Sequence, residues 1–569
     1  MALIGNTRGE TAEAIRTLRD MRLMVDEPDL LIAVEAGTRA FRVAHGAIVG
    51  DLFARGSTEP IGGMDAAREE AFEASQGRLL VEVNWGNYVA IWRSSADRVY
   101  ALRAPLGRVP ALYRAIKGGW LIASDLRLIE AAAGRRREID WLALGSLMAQ
   151  PEMKQGSTCL VGLCELGGGC RLALGARDVQ VDTVWTPWDA LESCPLTELN
   201  EAAARLRDIV RYSVAACARQ HSKSVLLLSG GLDSAIVAAC LAHDDHDFTC
   251  LNLRMEGRGG DEADYARRVA EKLGRPLRVE APRLEDVDLT RTMAPDAPYP
   301  TRHGFEQAVE ARARACAQDI GATAVLTGGG GDNVFYSLLS VAPAADRLAS
   351  VGPDQRYRAL IAALADLSGL GWLEVAWKSI LYARRGQAKS GPPASLAFLS
   401  AAARDRYLVD QHPWRRPPSS LGMGKASMVA ALAPAQWLAE SRDPIGDLPE
   451  HTPLVSQPIF DLCLRVAGDL WFAPGRNRAL ARTAFETELP AETIARRSKG
   501  TPAGFLARLF DQRRGQIREF LFEGLMQSEG LLDLPAIGAV LDNRCAVTGT
   551  SYLRVMEFVD AEAWARAQR

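Results

Sequence analysis

Lysine, cysteine and long apolar runs are all scarce in this sequence. Lysine supplies only 8 of the 67 basic residues in the 569-residue chain, and cysteine occupies only 10 positions. No stretch of eighteen apolar residues occurs, and the first twenty residues carry acids and arginines where a signal peptide would have an apolar core. We therefore expect a cytoplasmic protein with no membrane association and no disulfide scaffold.

The charge of the chain is nearly balanced. The formal net charge is -3 and the basic residues are spread along the sequence, which gives no reason to expect a nucleic acid as partner. Cys159, Cys164 and Cys170 lack the C-x2-C spacing and the nearby histidine of zinc sites, so we predict core thiols there. A chain of this length exceeds one hydrophobic core, and at least two domains are expected.

Residues 79–126 predict an antiparallel sheet. LLVEVNW, YVAIW, RVYALRA and GWLIAS have strand character and are separated by turn residues, and CRLALGARDVQVDTVW extends this character to Trp185. Two prolines in TPWDALESCPL then interrupt the pattern, and Thr197 is predicted to cap the helix that follows. The boundary is predicted near residue 190, which gives domains 1–190 and 191–569.

The second part of the sequence alternates between strands and helices. SVLLLSGG precedes DSAIVAACLA, FTCLNLRM precedes DEADYARRVAEKLG, and TAVLTGGGGD follows a helix that ends near Gly321. Such alternation predicts an α/β domain with a parallel sheet. From about residue 335 onward helices should predominate, interrupted by the proline-rich loops QAKSGPPAS and WRRPPSSLGMGKAS.

The stretch LLLSGGLDSAIVAAC, residues 226–240, predicts a phosphate site. Two glycines at the turn from strand to helix let a phosphate approach the backbone N–H groups without a Cβ in between. Ser229 and Ser234 add hydroxyl donors. Asp233 would repel a bare phosphate, which indicates a metal ion that bridges the carboxylate and the phosphate. The alternative interpretation is an ordinary tight turn.

SGGLDS resembles the pyrophosphate (PP) loop of the N-type ATP pyrophosphatases, which split ATP into AMP and pyrophosphate. The segments similar to successive parts of the asparagine synthetases are VLTGGGGDNVF (325–335), PLVSQPIFDLCLRV (453–466) and RALARTAFETELPAETIARRSKG (478–500). WGNYVAIW, LRAPLGRVPALYR and ASDLRLIE resemble the glutaminase domain of class B asparagine synthetase. Within this superfamily, SQPIFDLCLR and RRSKG look most like the lasso peptide macrolactam synthetases, or lasso cyclases.

The resemblance implies an α/β protein with two different domains. The first would be an N-terminal Ntn-type, glutaminase-like αββα domain, and the second a PP-loop, asparagine synthetase-like domain with helical additions. ATP would bind at the two glycine-rich loops and at the end of the second strand. The matching residues are Leu228, Ser229, Gly230, Gly231, Leu232, Asp233, Ser234, Leu253, Thr327 and Gly328.

Three side chains carry the chemistry that the resemblance implies. Asp332 would pair with Asp233 as a ligand of Mg²⁺. Lys499 would steady negative charge in the transition state, because a compact ammonium group on a flexible stem can follow charge that moves from phosphate to oxyanion. A lysine at this position is itself unexpected in a sequence that otherwise uses arginine.

This sequence departs from the family pattern at two places. Glutamine-dependent members release ammonia with an N-terminal cysteine, whereas this sequence begins Met1-Ala2 and its first cysteine is Cys159, so we expect a glutaminase fold without the catalytic cysteine. Gly329 stands where asparagine synthetases have Glu and β-lactam synthetases have Tyr. The general base must then lie elsewhere, and we expect the missing side chain to leave room for a peptide. The candidates on the substrate side are Asp296, His303 and Glu306.

We therefore expect an ATP-dependent lasso cyclase. It would adenylate an Asp or Glu side chain of a precursor core peptide and join it to the N-terminal amine of the same peptide, held close. A leader peptidase and a leader-binding protein are the expected partners. The alternatives are an asparagine synthetase or β-lactam synthetase-type ligase that uses ammonia or a small amine, and a peptide-binding protein with an inactive nucleotide site. A tRNA-modifying enzyme is less favoured, because no basic arm or zinc pair is visible.

Overall fold

The computed structural model describes most of the chain. The described residues are 1–5, 7–18, 20–94, 98–135, 137–151, 156–175, 178–192, 194–255, 262–384, 395–407, 412–418, 421–440, 448–497, 500–543 and 549–569. Lys499 lies outside the described residues, and so does nearly all of the predicted loop QAKSGPPAS.

Twelve strands of the described N-terminal part form two antiparallel six-stranded sheets. They are β1 (Ala2–Gly5), β2 (Met21–Glu27), β3 (Leu30–Glu35), β4 (Ala40–Val43), β5 (Gly46–Ala54), β6 (Asn84–Arg93), β7 (Val99–Arg103), β8 (Leu112–Ile116), β9 (Gly119–Ala123), β10 (Cys164–Glu165), β11 (Cys170–Leu174) and β12 (Val179–Thr183). The strand orders are β10-β8-β9-β1-β3-β2 in the first sheet and β12-β11-β7-β6-β5-β4 in the second.

Helices cover the outer faces of the two sheets. They are α1 (Glu10–Thr17), α2 (Ala66–Ala74), α3 (Arg78–Glu82), α4 (Leu126–Ala133) and α5 (Trp141–Ala149). Apolar residues such as Ile32 and Ile91 fill the space between the sheets. Helices α1, α4 and α5 share a core with the first sheet, and α2 and α3 with the second. The layers therefore run helix, sheet, sheet, helix, while a relation to glutaminase domains stays a prediction.

The antiparallel strands predicted over residues 79–126 are confirmed from residue 84 onward, but they are divided between the two sheets, with β6 and β7 in the second and β8 and β9 in the first. Before residue 84 the prediction is wrong. The LLVE part of LLVEVNW forms the short helix α3. Gly77, with a φ of 83°, turns the chain just before this helix. The consecutive side chains of Leu80 and Val81 are both buried in one core, whereas a strand would point them to opposite faces.

The five strands that follow in the chain form a parallel sheet, as predicted. Its strands are β13 (Ser224–Leu227), β14 (Phe248–Leu253), β15 (Leu277–Glu280), β16 (Ala324–Thr327) and β17 (Glu450–His451), in the order β15-β14-β13-β16-β17. Helices α6 (Leu199–Ala218), α7 (Leu232–His243), α8 (Ala263–Leu273) and α9 (Glu306–Ile320) precede or connect these strands. The predicted cap at Thr197 is wrong, because Glu198 occupies the N-cap position of α6.

Helices dominate the rest of the described chain, as predicted. They are α10 (Gly331–Val334), α11 (Ala342–Ser350), α12 (Gln355–Ser368), α13 (Trp372–Arg384), α14 (Ala401–Arg406), α15 (Met423–Glu440), α16 (Gln457–Arg465), α17 (Ala479–Ala484), α18 (Ala491–Ala495), α19 (Ala503–Phe522), α20 (Leu525–Ser528), α21 (Leu534–Asp542) and α22 (Ser551–Ala567), with the hairpin strands β18 (Phe472–Ala473) and β19 (Arg476–Asn477). The loop predicted for WRRPPSSLGMGKAS is wrong from Met423 onward, because α15 begins there.

No single helix in the described ranges is long and apolar enough to cross a membrane. Helices α12 and α13 meet the length and composition criteria only as a pair that is bent by 114°.

Two hydrophobic cores join the N-terminal and C-terminal parts. One contains the second sheet together with α6 and α7, and the other contains the first sheet together with α19 and α22. A buried ionic group adds to this contact, because fully buried Arg103 binds Glu165 at 2.8 Å and Glu440 on α15 at 3.1 Å. Both cores contain residues from before and after position 190. The domain boundary predicted near residue 190 therefore stays a prediction.

Candidate functional site

A cavity of about 350 Å³ lies where β13 and β16 end, next to the first half of α9. Ligands of open α/β sheets bind at this carboxyl edge. Seven of the ten predicted nucleotide-binding residues line the cavity: Ser229, Gly231, Leu232, Asp233, Ser234, Thr327 and Gly328. Leu228, Gly230 and Leu253 are not among its lining residues. Leu228 is buried and its carbonyl accepts a hydrogen bond from Asn252 at 2.8 Å.

The first loop positions the N-terminus of α7 at the cavity. Gly230 has a φ of 76°, and a Cβ there would lie 2.7 Å from Tyr265 Cβ and 2.8 Å from Ala266 N, so glycine is required. Gly231 occupies the N-cap position of α7 and makes no side-chain cap hydrogen bond. The first N–H groups of this helix are therefore suited to an anionic ligand.

Glycines of the second loop let it lie directly against the first. A Cβ on Gly328 would lie 2.4 Å from Ser234 N and 2.8 Å from the backbone carbon of Asp233. A Cβ on Gly331 would lie 2.5 Å from Asp233 Cγ. Because backbone atoms cannot give way as a flexible side chain can, Gly328 is needed for the two loops to meet.

We expect Gly328→Ala to destabilise the protein by about 1 to 3 kcal/mol, as overpacking in a dense region does, and to weaken ATP binding. The added methyl group would push the two loops apart at Ser234. Chemical denaturation and ATP titration measure the two effects. The matched control is Gly515→Ala within α19, where a Cβ meets nothing within 4 Å and the change should stabilise the helix slightly. Equal stability of the two variants would contradict the argument.

Three side chains lie close to the position that a Cβ on Gly329 would take. A Cβ there would lie 3.0 Å from Leu438 Cδ2 and from Thr327 Oγ1, and 3.1 Å from Thr452 Cγ2. A side chain at this position would be crowded by its neighbours, and the expectation that the missing side chain leaves space for a peptide stays a prediction. The cavity itself begins beside Gly329, which is one of its lining residues.

Asp233 and Asp332 meet at one atom, the Nη1 of Arg478. This atom donates to both carboxylate oxygens of Asp233 at 3.0 Å and to Oδ1 of Asp332 at 2.7 Å. Asp233 is 8% exposed and Arg478 is 9% exposed. The convergence of two hard carboxylates on a position that holds a cation fits Mg²⁺, which takes its remaining ligands from water and phosphate. Mg²⁺ stays a prediction, and the described residues hold no group of three potential metal-ligating side chains.

Arginines make the same end of the cavity cationic. Arg478, Arg482 and Arg496 all line it. Burial lowers the pKa of Arg482 to about 10, so the side chain remains charged at neutral pH. Arg496 donates to the carbonyl of Gly230 at 3.1 Å and lies 4.1 Å from the centre of the Tyr265 ring. Sequence reasoning missed these residues, although their segment, 478–500, was matched to the asparagine synthetases.

The residues on both sides of Lys499 bind Glu262, which occupies the N-cap position of α8. Arg496 precedes Lys499 and binds Glu262, and the backbone N–H of Gly500 donates to Glu262 Oε1 at 2.9 Å. Lys499 itself lies outside the described residues, so its predicted role stays a prediction.

Carboxylates gather at another part of the cavity lining. Glu306 and Glu310 come from α9 and Glu450 from β17. Arg302 donates to Glu306 Oε2 at 3.0 Å. Of the three predicted substrate-side candidates, Glu306 alone lines the cavity. Glu450 was missed because a two-residue strand leaves no pattern in the sequence.

Asp296 and His303 make contacts away from the cavity lining. Asp296 binds Arg137 of the N-terminal part at 2.8 Å. His303 Nδ1 lies 2.9 Å from Asp560 Oδ2 on α22. Desolvation alone would lower the pKa of His303, but the hydrogen bond and charge of Asp560 outweigh it and raise this pKa to about 9. His303 is then protonated at neutral pH and cannot accept a proton there.

The chain matches a known family over more than half of its length. The family model described as asparagine synthase matches residues 205–566. Over 203 residues the chain is 26% identical to the glutamine-hydrolyzing asparagine synthetase 2 of Bacillus subtilis (strain 168), which covers 33% of this chain and 26% of that protein. It is also 26% identical over 193 residues to a putative glutamine-hydrolyzing asparagine synthetase of Mycobacterium tuberculosis (strain H37Rv), covering 32% and 29% of the two chains.

The matched regions span little more than a quarter of these relatives. Among solved structures, a glutamine-dependent NAD⁺ synthetase from Acinetobacter baumannii in complex with ADP aligns at 13% identity over 55% of this chain and 79% of that one, with a TM-score of 0.19. This likeness is too low to bear on the fold.

Proposed function

This chain belongs to the asparagine synthase family, and we propose that it is an ATP-dependent amide ligase that releases AMP and pyrophosphate. More specifically, we propose a lasso cyclase. It adenylates an Asp or Glu side chain of a core peptide and then joins that acyl group to the N-terminal amine of the same peptide. The observation that carries the proposal is a single cavity with a cationic, glycine-lined end beside the Asp233–Asp332 pair.

The cationic end is suited to the phosphates of ATP. The first loop offers the N-terminus of α7 together with the hydroxyl groups of Ser229 and Ser234, which lie 3.1 Å apart. Arg478, Arg482 and Arg496 add positive charge. Backbone N–H groups and guanidinium groups aimed at departing pyrophosphate stabilise the charge that develops as the carboxylate attacks the α-phosphate.

Asp233 and Asp332 are the residues that would hold Mg²⁺. The ion would supply a positive charge that neutralises phosphate oxygens and so eases the departure of pyrophosphate. We assign to Lys499 the stabilisation of the oxyanion in both half-reactions, and the anchoring of its neighbours Arg496 and Gly500 beside the first loop supports this assignment.

The attacking amine comes from the substrate in this proposal. Release of ammonia from glutamine needs a reactive thiol. Burial raises the pKa of the Cys159 thiol far above its usual range, and that of Cys217 to about 12, so these groups stay protonated and unreactive. An N-terminal domain that resembles a glutaminase would then serve as a structural partner of the ligase part.

The carboxylates of the cavity offer acceptors to an amine, and Arg302, which also lines the cavity, binds two of them, Glu306 and Glu310. Glu306, Glu310 and Glu450 line the same cavity as the phosphate-binding loop. An ammonium group that enters between them would lie in a cavity of about 350 Å³ with the acyl-adenylate, and confinement of two reactants accelerates their combination strongly. Glu306 remains the proposed candidate for the general base.

Asparagine synthesis from ammonia, or closure of a small lactam, is the second candidate function. The names of the curated relatives favour it. The two candidates differ in the substrate that enters the cavity and share the adenylation step. A leader peptidase and a leader-binding protein are the partners that accompany the lasso cyclase proposal.

Mass spectrometry distinguishes the two candidates. The purified chain is incubated with ATP, Mg²⁺ and synthetic core peptides encoded near its gene, and in parallel with aspartate and ammonia. The lasso cyclase proposal predicts a core peptide that loses one water and resists aminopeptidase. The control peptides carry Asn or Gln in place of the ring-forming acid, or an acetylated N-terminus, and should stay linear. Asparagine formation with no change in any peptide would refute the cyclase proposal.

A further inference from the structure

Arg478 occupies the position between the two predicted metal ligands in an uncommon backbone conformation. Its φ is 52° and its ψ is 34°, immediately before α17. A non-glycine residue is held in this left-handed region only where surrounding contacts require it. Here the required contact is with the acid pair, because one guanidinium nitrogen is within 3.0 Å of three oxygens of Asp233 and Asp332.

The other donors of this side chain are not equally satisfied. The Nε atom of Arg478 is buried and has no hydrogen-bond partner, although the residue lines the cavity. A buried donor without a partner is unfavourable. The Nη1 atom of Arg478 is therefore well satisfied by the carboxylates, whereas its Nε atom is not satisfied. This is expected for a side chain that can also adopt a second position.

A guanidinium group and Mg²⁺ exclude each other here. Mg²⁺ binds carboxylate oxygens at about 2.0 to 2.1 Å, and Arg478 Nη1 lies between the same two carboxylates at 2.7 to 3.0 Å. Both cations would occupy one space and would repel each other. The arginine must leave the acid pair before a metal ion can bind to both residues.

We propose that Arg478 is an internal counter-ion that keeps Asp233 and Asp332 together until the nucleotide arrives, so that the metal ion enters with ATP and not before it. The proposal rests on the proposed function, in which these acids hold Mg²⁺. The negative charge of the incoming phosphates compensates the guanidinium group when it leaves the carboxylates. Arg478 is a positioning residue in this scheme, since it acts on the metal site through the two acids.

Binding of Mn²⁺ in the absence of nucleotide tests this proposal. Loss of the free Mn²⁺ signal in electron paramagnetic resonance reports binding to the full chain. The wild type should bind Mn²⁺ weakly at this site, and Arg478→Met should bind one Mn²⁺ at least about tenfold more tightly, because a unit charge at hydrogen-bonding distance has been removed. Asp233→Ala combined with Arg478→Met should abolish the gain, which assigns the ion to the acid pair.

Arg476→Met is the matched control. Arg476 is exposed and lies two residues away, so this variant loses the same charge while the contact between Arg478 and the acids is kept. Its affinity for Mn²⁺ should equal that of the wild type. An equal gain in both variants would overturn the proposal, since it would report only the net charge of the region.

Two further outcomes are decisive. Equal affinity of the wild type and Arg478→Met for Mn²⁺ would overturn the proposal, and so would binding of one Mn²⁺ by the nucleotide-free wild type with a dissociation constant below about 0.1 mM, a tight value for two carboxylates. If Arg478→Met does not fold, Arg478→Gln replaces it, because it also removes the charge, and it should exceed the wild type in affinity. Exchange of pyrophosphate into ATP by the wild type tests the proposed function separately, so the two failures are distinguishable.

Discussion

Asp233→Ala is expected to abolish the exchange of labelled pyrophosphate into ATP. Asp233 is buried beside both glycine-rich loops and shares Arg478 with Asp332. Its removal would take away one of the two predicted Mg²⁺ ligands and leave the positive charge of Arg478 with fewer partners. Adenylation needs the metal ion and the phosphates to be correctly positioned relative to each other. The rate of pyrophosphate exchange should therefore fall at least about 1000-fold, the range for essential charged groups.

Two variants make this test specific. Asp233→Asn keeps the volume of the side chain and removes only the charge, so it should be as inactive as Asp233→Ala while remaining more stable. Asp264→Ala on α8 is the control, because Asp264 is exposed and pairs only at the surface with Arg267. Exchange at the wild-type rate in either Asp233 variant would show that the acid pair is not part of the adenylation site.

Lys499→Ala is expected to slow turnover roughly 100- to 1000-fold, the usual effect of losing one electrostatic stabiliser. If the ammonium group acts on the transition state, kcat should fall while the KM for ATP changes little. Steady-state release of pyrophosphate with a cyclisable peptide measures both values.

Controls for Lys499 separate its charge from its position. Lys499→Arg keeps the charge but replaces a compact ammonium by a planar group, and should restore only part of the rate. Lys378→Ala removes an exposed lysine that pairs with Glu374 and should act as the wild type. A normal kcat in Lys499→Ala would remove this residue from the mechanism.

Local patterns were sufficient for much of the fold. The strand-turn-helix rhythm predicted β13, β14 and β16 and the helices α8 and α9, because apolar runs alternate there with helical patterns across clear turn signals. The pattern failed at α3 and at the two-residue strand β17. Both elements are short, and their conformation depends on what they pack against rather than on their own residues.

The arginines of the cavity could not be recognised in the sequence. All but 8 of the 67 basic residues are arginine, so an arginine at any one position carries almost no information. Arg478, Arg482 and Arg496 are distinguished by lining the cavity beside loops that are distant from them in the sequence. Lys499, by contrast, could be recognised because lysine is rare in this sequence.

The sequence by itself determined the parallel sheet and the two glycine-rich loops, because strand, turn and helix signals are local, and the resemblance to the family singled out Asp332 as the partner of Asp233. Only the tertiary structure decided that Arg478 joins the two acids, that the side chains of Leu438 and Thr452 lie against Gly329, and that Glu450 reaches the cavity. These contacts link residues about 100 to 250 positions apart. They depend on the packing of whole elements against one another, which no short stretch of the sequence specifies.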